Sequence, residues 1–262
     1  MGAVAARFEQ LRADGAAALV PFLVAGDPGP DETVAVMRAI AEAGADVIEL
    51  GVPFSDPIAD GAVNQEAYQR ALQAGMTLPR VLRIVAEFRA AHDTPVVLMT
   101  YYNPVLRYGP ERLGADAAAA GVSGVIVTDL PPEEADDWCR AADTAGLDTI
   151  FLLAPTSEAK RIRLASARST GFIYCVSRMG VTGARQSLPP GLSDLVNAIR
   201  AETDKPIAVG FGLSTPEHVR AVCEIADGAV VGSALVALIA KQRKAPEAAA
   251  EFVRSLKAAT VK

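Results

Sequence analysis

The chain has little of what metal centres, disulfides and imidazole catalysis are built from. Of its 262 residues, three are cysteine and two histidine. Cys139, Cys175 and Cys223 are odd in number, far apart and set in apolar or helical contexts, which predicts core thiols rather than a disulfide framework or a metal knuckle. His92 and His218 fall in separate helical segments, so neither a zinc cluster nor a Ser-His triad is expected. Although 51% of the residues are hydrophobic, no uninterrupted apolar run reaches the ~18 residues of a membrane span. The first ten residues, M-G-A-V-A-A-R-F-E-Q, lack a long apolar signal region, and Ala6 stands where myristoylation wants Ser or Thr. A cytoplasmic location is expected, with no membrane partner. A net charge of −6 with scattered basic residues argues against a nucleic-acid groove.

Short apolar runs recur instead, at Ala18 to Leu23, Val47 to Val52, Val96 to Met99, Gly124 to Val127, Thr149 to Leu153, Phe172 to Val176, Ile207 to Gly210 and Ala229 to Gly232. Between them the spacing is helical, as in Val34, Met37, Ile40 and Ala41, or in Val81, Leu82, Ile84, Val85 and Phe88. Asp31 and Ser214 read as helix N-caps, while A-G-A-D at 43–46 and A-G-L-D at 145–148 read as helix stops. A chain of this length could form one large α/β barrel or two small domains. Eight strand-helix units without a Pro/Gly/Ser-rich linker favour one domain over 1–262, a closed (β/α)8 TIM barrel, over an open doubly wound sheet. An extra helix is expected at about Val4 to Ala13, a short extra helix from Ser233 directly after strand eight, and a last helix from about Pro246.

In such a barrel the site lies at the C-terminal ends of the strands, with phosphate often held after strands seven and eight. Strand seven runs into Gly210-Phe211-Gly212 and strand eight into Gly232-Ser233, where bare backbone N–H groups and a helix start can converge on an anion. The loop after strand six adds Gly180 and Gly183; Arg185 beside them faces either phosphate or solvent. Each glycine alone needs no more than a tight turn to explain it. In register with the strand count, they predict a phosphate site.

Glu49 interrupts the second run. In V-I-E-L-G-V it shares a face with Val47 and Gly51, because strand side chains alternate. It reads either as a buried carboxylate with a raised pKa, suited to proton transfer, or as a strand-end acid paired with a cation. The following loop carries Asp56 and Asp60. Two carboxylates beside a phosphate site suggest acid and base work on a phosphorylated small molecule. The six lysines, Lys160, Lys205, Lys241, Lys244, Lys257 and Lys262, all lie outside the strand runs, which disfavours Schiff-base chemistry.

Over essentially its whole length the chain resembles the tryptophan synthase α subunit family. The segments that carry the resemblance are P-F-L-V-A-G-D-P from residue 21, E-L-G-V-P-F-S-D-P-I-A-D-G-x-x-x-Q at 49–65, Y-Y-N-P from 101, D-L-P from 129, R-M-G-V-T-G from 178, and G-F-G and G-S near the end. The resemblance implies retro-aldol cleavage of indole-3-glycerol phosphate to indole and glyceraldehyde 3-phosphate, with no cofactor or metal in this chain. It implies Glu49 as general acid and base and Asp60 at the indole N–H. Phe22, Tyr101, Ile126 and Phe211 would pack the ring, and Tyr174 would line the site or only fill the core. Gly183, Gly212, Gly232 and Ser233 would hold phosphate, with Thr182 orienting Asp60 on closure. The implied partner is a pyridoxal-phosphate β subunit in an α2β2 tetramer, which receives indole through a tunnel. Asp56, Pro57, Pro53, Asn103, Pro104, Asp129 and Pro131 would meet it.

Pro53 and Pro57, Tyr102, Pro104, Val105 and Leu106, and Leu130 and Pro131 are apolar loop residues that suit either such an interface or packing within their own loops. A stand-alone indole-releasing lyase, a phosphate-binding regulator without chemistry, and a synthase or isomerase on a related barrel are the competing readings.

Overall fold

Strands buried on both faces must read as nearly continuous apolar runs, and those runs form the sheet. The computed structural model describes residues 2–176, 191–210, 212–242 and 244–261. Its strands are β1 (Ala18–Val24), β2 (Ile48–Gly51), β3 (Val96–Thr100), β4 (Gly124–Val127), β5 (Asp148–Ile150), β6 (Leu152–Leu153), β7 (Ile173–Val176), β8 (Ile207–Gly210) and β9 (Gly228–Val231). Every strand pairing is parallel, in the order β5-β4-β3-β2-β1-β9-β8-β7-β6.

The two ends of that order, β5 and β6, are separated by Phe151 alone, so the sheet returns on itself and closes the expected barrel. Eight runs were expected where the described residues form nine strands, because the fifth is split. Phe151 donates its N–H to the Ser169 hydroxyl at 3.1 Å instead of to a neighbouring strand, while its carbonyl still accepts from the Tyr174 N–H at 3.1 Å.

Among the described residues the helices fall where the apolar periodicity put them. Val34, Met37 and Ile40 are buried from Glu32–Glu42, and Val81, Val85 and Phe88 from Leu78–Arg89. One expected cap moves: Thr215, not Ser214, is the N-cap of Pro216–Cys223, and its side chain accepts from the His218 N–H at 3.3 Å. Pro216 is the first helical residue, and the residue just before it is the one left extended and free to cap. Of the three thiols, Cys175 and Cys223 are buried, whereas Cys139 is half-buried.

The extra N-terminal helix, Ala3–Ala13, closes the N-terminal end of the barrel. Phe8 packs on Phe172 with ring centroids 5.4 Å apart, and Phe172 on Tyr174 at 6.0 Å, so a column of rings rises through the interior. The helix approaches β9 so closely that a Cβ on Gly228 would lie 3.0 Å from Phe8 Cε1. Asp46, with a fully buried side chain at the base of β2, accepts from the Leu19 N–H at 2.7 Å, Arg7 at 2.6 Å and Lys257 at 2.5 Å. Arg7 lies on the first helix and Lys257 ends the last, Ala245–Lys257; one carboxylate therefore anchors both terminal helices to the strand that carries Glu49.

Candidate active site

Glu49 is the third-from-last residue of β2, opposite Phe22 of β1 and Val97 of β3. The register continues from Val97 to Gly124 of β4, which puts Ile126, two residues further on, on the same face as Glu49 and Phe22. Phe22 is 2% exposed, Ile126 0% and Glu49 1%. Neither Glu49 oxygen has a hydrogen-bond partner, and no cation pairs with it, among the described residues. The strand-end ion pair is thereby set aside. Burial, and then the nearby Asp60 charge, push the Glu49 carboxyl up to about 8, so it carries its proton at neutral pH.

Asp60 comes from the loop between β2 and the helix Ala62–Gln73. Tight backbone turns shape the loop: Ile58 N–H donates to Asp56 O at 2.9 Å and Asp60 N–H to Pro57 O at 3.1 Å. Gln65 Nε2 reaches back from the helix to Asp60 O at 2.8 Å. The carboxylate is held at both oxygens, by Tyr101 Oη at 2.6 Å and Asn64 Nδ2 at 3.0 Å. Tyr101 Oη in turn accepts from the Ala59 N–H at 3.1 Å, and its ring stacks on Phe54 at 5.0 Å. Burial raises the Asp60 carboxyl, while the Tyr101 and Asn64 hydrogen bonds pull it down. The two acids thus differ in kind: one is unpaired and protonated, the other is held by donors that favour its charged form.

Phe22, Tyr101 and Ile126 supply apolar walls beside these acids. Gly51 makes room for them, since a Cβ there would stand 2.8 Å from Phe22 Cζ. Tyr174, 9% exposed, lies across the interior on β7, and the Glu49 and Asp60 charges add to the burial that raises its hydroxyl. At the phosphate end, Gly212 is exposed with φ +59, and Gly232 precedes the exposed Ser233 that opens the helix Ser233–Lys241. The first N–H groups of a helix have no carbonyl one turn back to bond, so they are available to an anion. Thr182, Gly183, Phe211, Gly180 and Arg185 lie outside the described residues.

Of the partner-contact residues, Asp56, Asn103 and Asp129 are exposed, and Pro57, Pro104 and Pro131 half-buried. Pro53, however, is buried, as are Val105 and Leu130, so these three pack inward instead of offering surface, and Val105 does so from the helix Tyr102–Tyr108, not from a loop. Asp129 also has a local task, accepting the Tyr102 N–H at 2.7 Å. Among the described residues, Ile58, 80% exposed in the Asp60 loop, and Leu106, 53% exposed, are large apolar side chains open to solvent. Sequence reasoning passed over Ile58, Asn64 and Tyr68. The last two stand one helical turn apart, a spacing that signals a shared face.

The pattern that defines the family described as Tryptophan synthase alpha chain matches residues 8–261. The tryptophan synthase alpha chain of Solibacter usitatus is 52% identical over 255 residues, 95% of each chain. That of Geobacter sulfurreducens is 51% identical over 238 residues, covering 91% of this chain and 90% of the relative. The chain belongs to the tryptophan synthase alpha chain family. Solved structures agree: the alpha subunit from Legionella pneumophila superposes with a TM-score of 0.92 at 37% identity, covering 99% of this chain and 98% of that one. Tryptophan synthase from Mycobacterium tuberculosis gives 0.92 at 38% identity, with the same coverage.

As a tryptophan synthase alpha chain it is a lyase of tryptophan biosynthesis that cleaves indole-3-glycerol phosphate, and it works with a β subunit. The family's alpha chain has no cofactor of its own. Among the described residues no group of three or more His, Cys, Asp or Glu side chains could hold a metal ion, and no helix is long and apolar enough to cross a membrane.

Proposed function

We propose that Glu49 and Asp60 divide the proton transfers of the cleavage between them. The observation that carries this is the contrast between the two carboxyls: Glu49 unpaired, buried and pushed up to about 8, Asp60 held at both oxygens by donors. Breaking the bond between the indole ring and the glycerol chain requires the ring to leave with the bonding pair. Protonated Glu49 gives its proton to ring C3, and ionised Asp60 stabilises the charge that develops at the ring nitrogen. The Glu49 carboxylate so formed then takes the proton of the hydroxyl on the departing carbon. The O–H pair becomes the C=O of glyceraldehyde 3-phosphate, the C–C pair returns to the ring, and indole leaves neutral. Glu49 ends protonated as it began.

The substrate fits the distribution of side chains. Phe22, Tyr101 and Ile126 would flank the ring, and Gly212, Gly232 and Ser233 would meet the phosphate, which lies on a helix start of favourable dipole. Tyr174 would line the site through its edge. We further read residues 1–262 as one barrel domain, supported by a single closed sheet and one hydrophobic core. The assembly is an α2β2 tetramer in the cytoplasm, in which the β subunit brings pyridoxal phosphate and receives indole. Asp56, Pro57, Asn103, Pro104, Asp129 and Pro131 would face it, and Pro53 would support that surface from beneath.

The test is indole release from indole-3-glycerol phosphate, with and without β subunit. Glu49→Gln and Asp60→Asn should each lower turnover by roughly 10²- to 10⁴-fold while the protein still binds indole-3-propanol phosphate. Turnover within about threefold of the parent in either variant would remove that residue from the chemistry.

A further inference from the structure

The helix Ala62–Gln73 carries Tyr68, a buried side chain that the reaction above does not use. Tyr68 is 1% exposed, and its hydroxyl has no hydrogen-bond partner among the described residues. Packing accounts for the ring, whose Cε1 would stand 3.1 Å from a Cβ on Gly51, two residues beyond Glu49 on the same strand face. Packing does not account for the hydroxyl, because phenylalanine would fill the same space without an unmet polar atom. One turn earlier Asn64 holds Asp60 through Nδ2, and its Oδ1 is also buried without a partner.

The Tyr68 hydroxyl stands among the ionisable groups of the site: burial, and then Asp60, Tyr101, Glu49 and Tyr174 in that order, push it well above its ordinary value. It therefore stays protonated and serves as a donor. Both Glu49 oxygens are unpaired in the same interior. A buried donor and a buried acid that share surroundings but do not bond each other are both satisfied by one hydroxyl placed between them. The substrate carries such a hydroxyl on the carbon that becomes the aldehyde.

We propose that Tyr68 is a further substrate-binding residue, whose Oη donates a hydrogen bond to the glycerol hydroxyl from which Glu49 takes the proton. The assignment rests on Glu49 being the acid-base group. During cleavage that oxygen changes from hydroxyl to carbonyl and accepts throughout, so a fixed donor holds it in line while the O–H proton passes to Glu49. Asp60 and the ring do not depend on it. Tyr68 then reads the glycerol part of the substrate, where Phe22 and Ile126 read the ring.

Tyr68→Phe in the full chain tests this with two ligands. For indole-3-glycerol phosphate, kcat/KM should fall roughly 10- to 100-fold, the range for losing one hydrogen bond to a buried polar group. Affinity for indole-3-propanol phosphate, which keeps the ring and phosphate but lacks both hydroxyls, should stay within about twofold. The thermal midpoint without ligand should stay level or rise, since an unmet buried hydroxyl has gone. Parent-like cleavage by Tyr68→Phe would overturn the assignment, as would an equal loss of affinity for the dehydroxy analogue, which marks a distorted pocket. Glu49→Gln run alongside separates the two claims: if it retains turnover, the acid-base reading fails and this one with it, whereas parent-like Tyr68→Phe beside inactive Glu49→Gln refutes Tyr68 alone.

Discussion

Replacing Glu49 by glutamine should shift stability in the variant's favour as the pH rises from 5 to 9. In the folded chain the carboxyl sits at about 8, against an ordinary value of 4.5. Below 4.5 both states hold the proton and its burial has no pH-dependent cost. Between 4.5 and about 8 the unfolded chain releases the proton and the folded chain keeps it, so stability is lost as pH rises through that window. Integrating from 4.5 to about 8 gives a cost of about 1 kcal/mol at pH 5, about 3 kcal/mol at pH 7 and about 5 kcal/mol at pH 9. Glutamine does not titrate. Its own burial adds a constant offset, so the informative quantity is the change in the variant-minus-parent difference between pH 5 and pH 9, about 4 kcal/mol. Urea unfolding of both proteins at the three pH values measures it, and titrations elsewhere in the chain cancel in the difference. A gap that stays constant within about 1 kcal/mol over this range would mean that Glu49 is not held protonated, and the acid role derived for it would fall. On the acid-base role proposed for Glu49, the same proton should set the alkaline side of catalysis, with activity declining as pH passes about 8.

Asn64→Leu removes one of the two donors that pull the Asp60 carboxyl down, so burial is less opposed and the carboxyl rises. The acid limb of the pH-rate profile should move to higher pH, with turnover on that limb falling roughly 3- to 10-fold; an unmoved limb would show that Asn64 does not tune Asp60. Arg70 grips Asp27 with Nε at 2.7 Å and Nη2 at 2.9 Å, and ties the loop after β1 to the helix that carries Asn64 and Tyr68. Because the Asp27 side chain is only 2% exposed, Arg70→Leu leaves a buried charge unpaired and should cost about 2 kcal/mol in urea unfolding; a loss below about 0.5 kcal/mol would count the pair as a surface contact.

What was legible in the sequence follows from what parallel barrels demand of it. Their strands are covered on both faces, so each appears as an apolar run, and Glu49 stands out as the carboxylate inside one. The features that were not legible are made by residues distant in the chain. The break at Phe151 is due to a hydroxyl 18 residues away, at Ser169. Pro53 and Leu130 belong to loops that look alike in composition to their exposed neighbours, and the fold alone decides which apolar residues turn inward. Tyr68 at helical spacing reads as core, correctly for its ring; whether its hydroxyl finds a partner cannot be told from local pattern.

The difference between the two acids has the same origin. Asp56 and Asp60 occupy one loop, and nothing in D-P-I-A-D ranks them. Asp56 is exposed and meets its neighbour Ser55, whereas Asp60 is gripped by Tyr101, 41 residues on, and by Asn64. Glu49 gets its character from the opposite circumstance, an interior in which neither of its oxygens is hydrogen-bonded among the described residues. An acid that must surrender a proton and recover it within one turnover needs an environment that favours neither form strongly at working pH. Burial without a partner, reinforced by the repulsion of Asp60, provides that, and an arginine or lysine within reach would instead favour the charged form. The absence of a cation around Glu49 among the described residues is therefore as much a part of the site as the carboxyl itself.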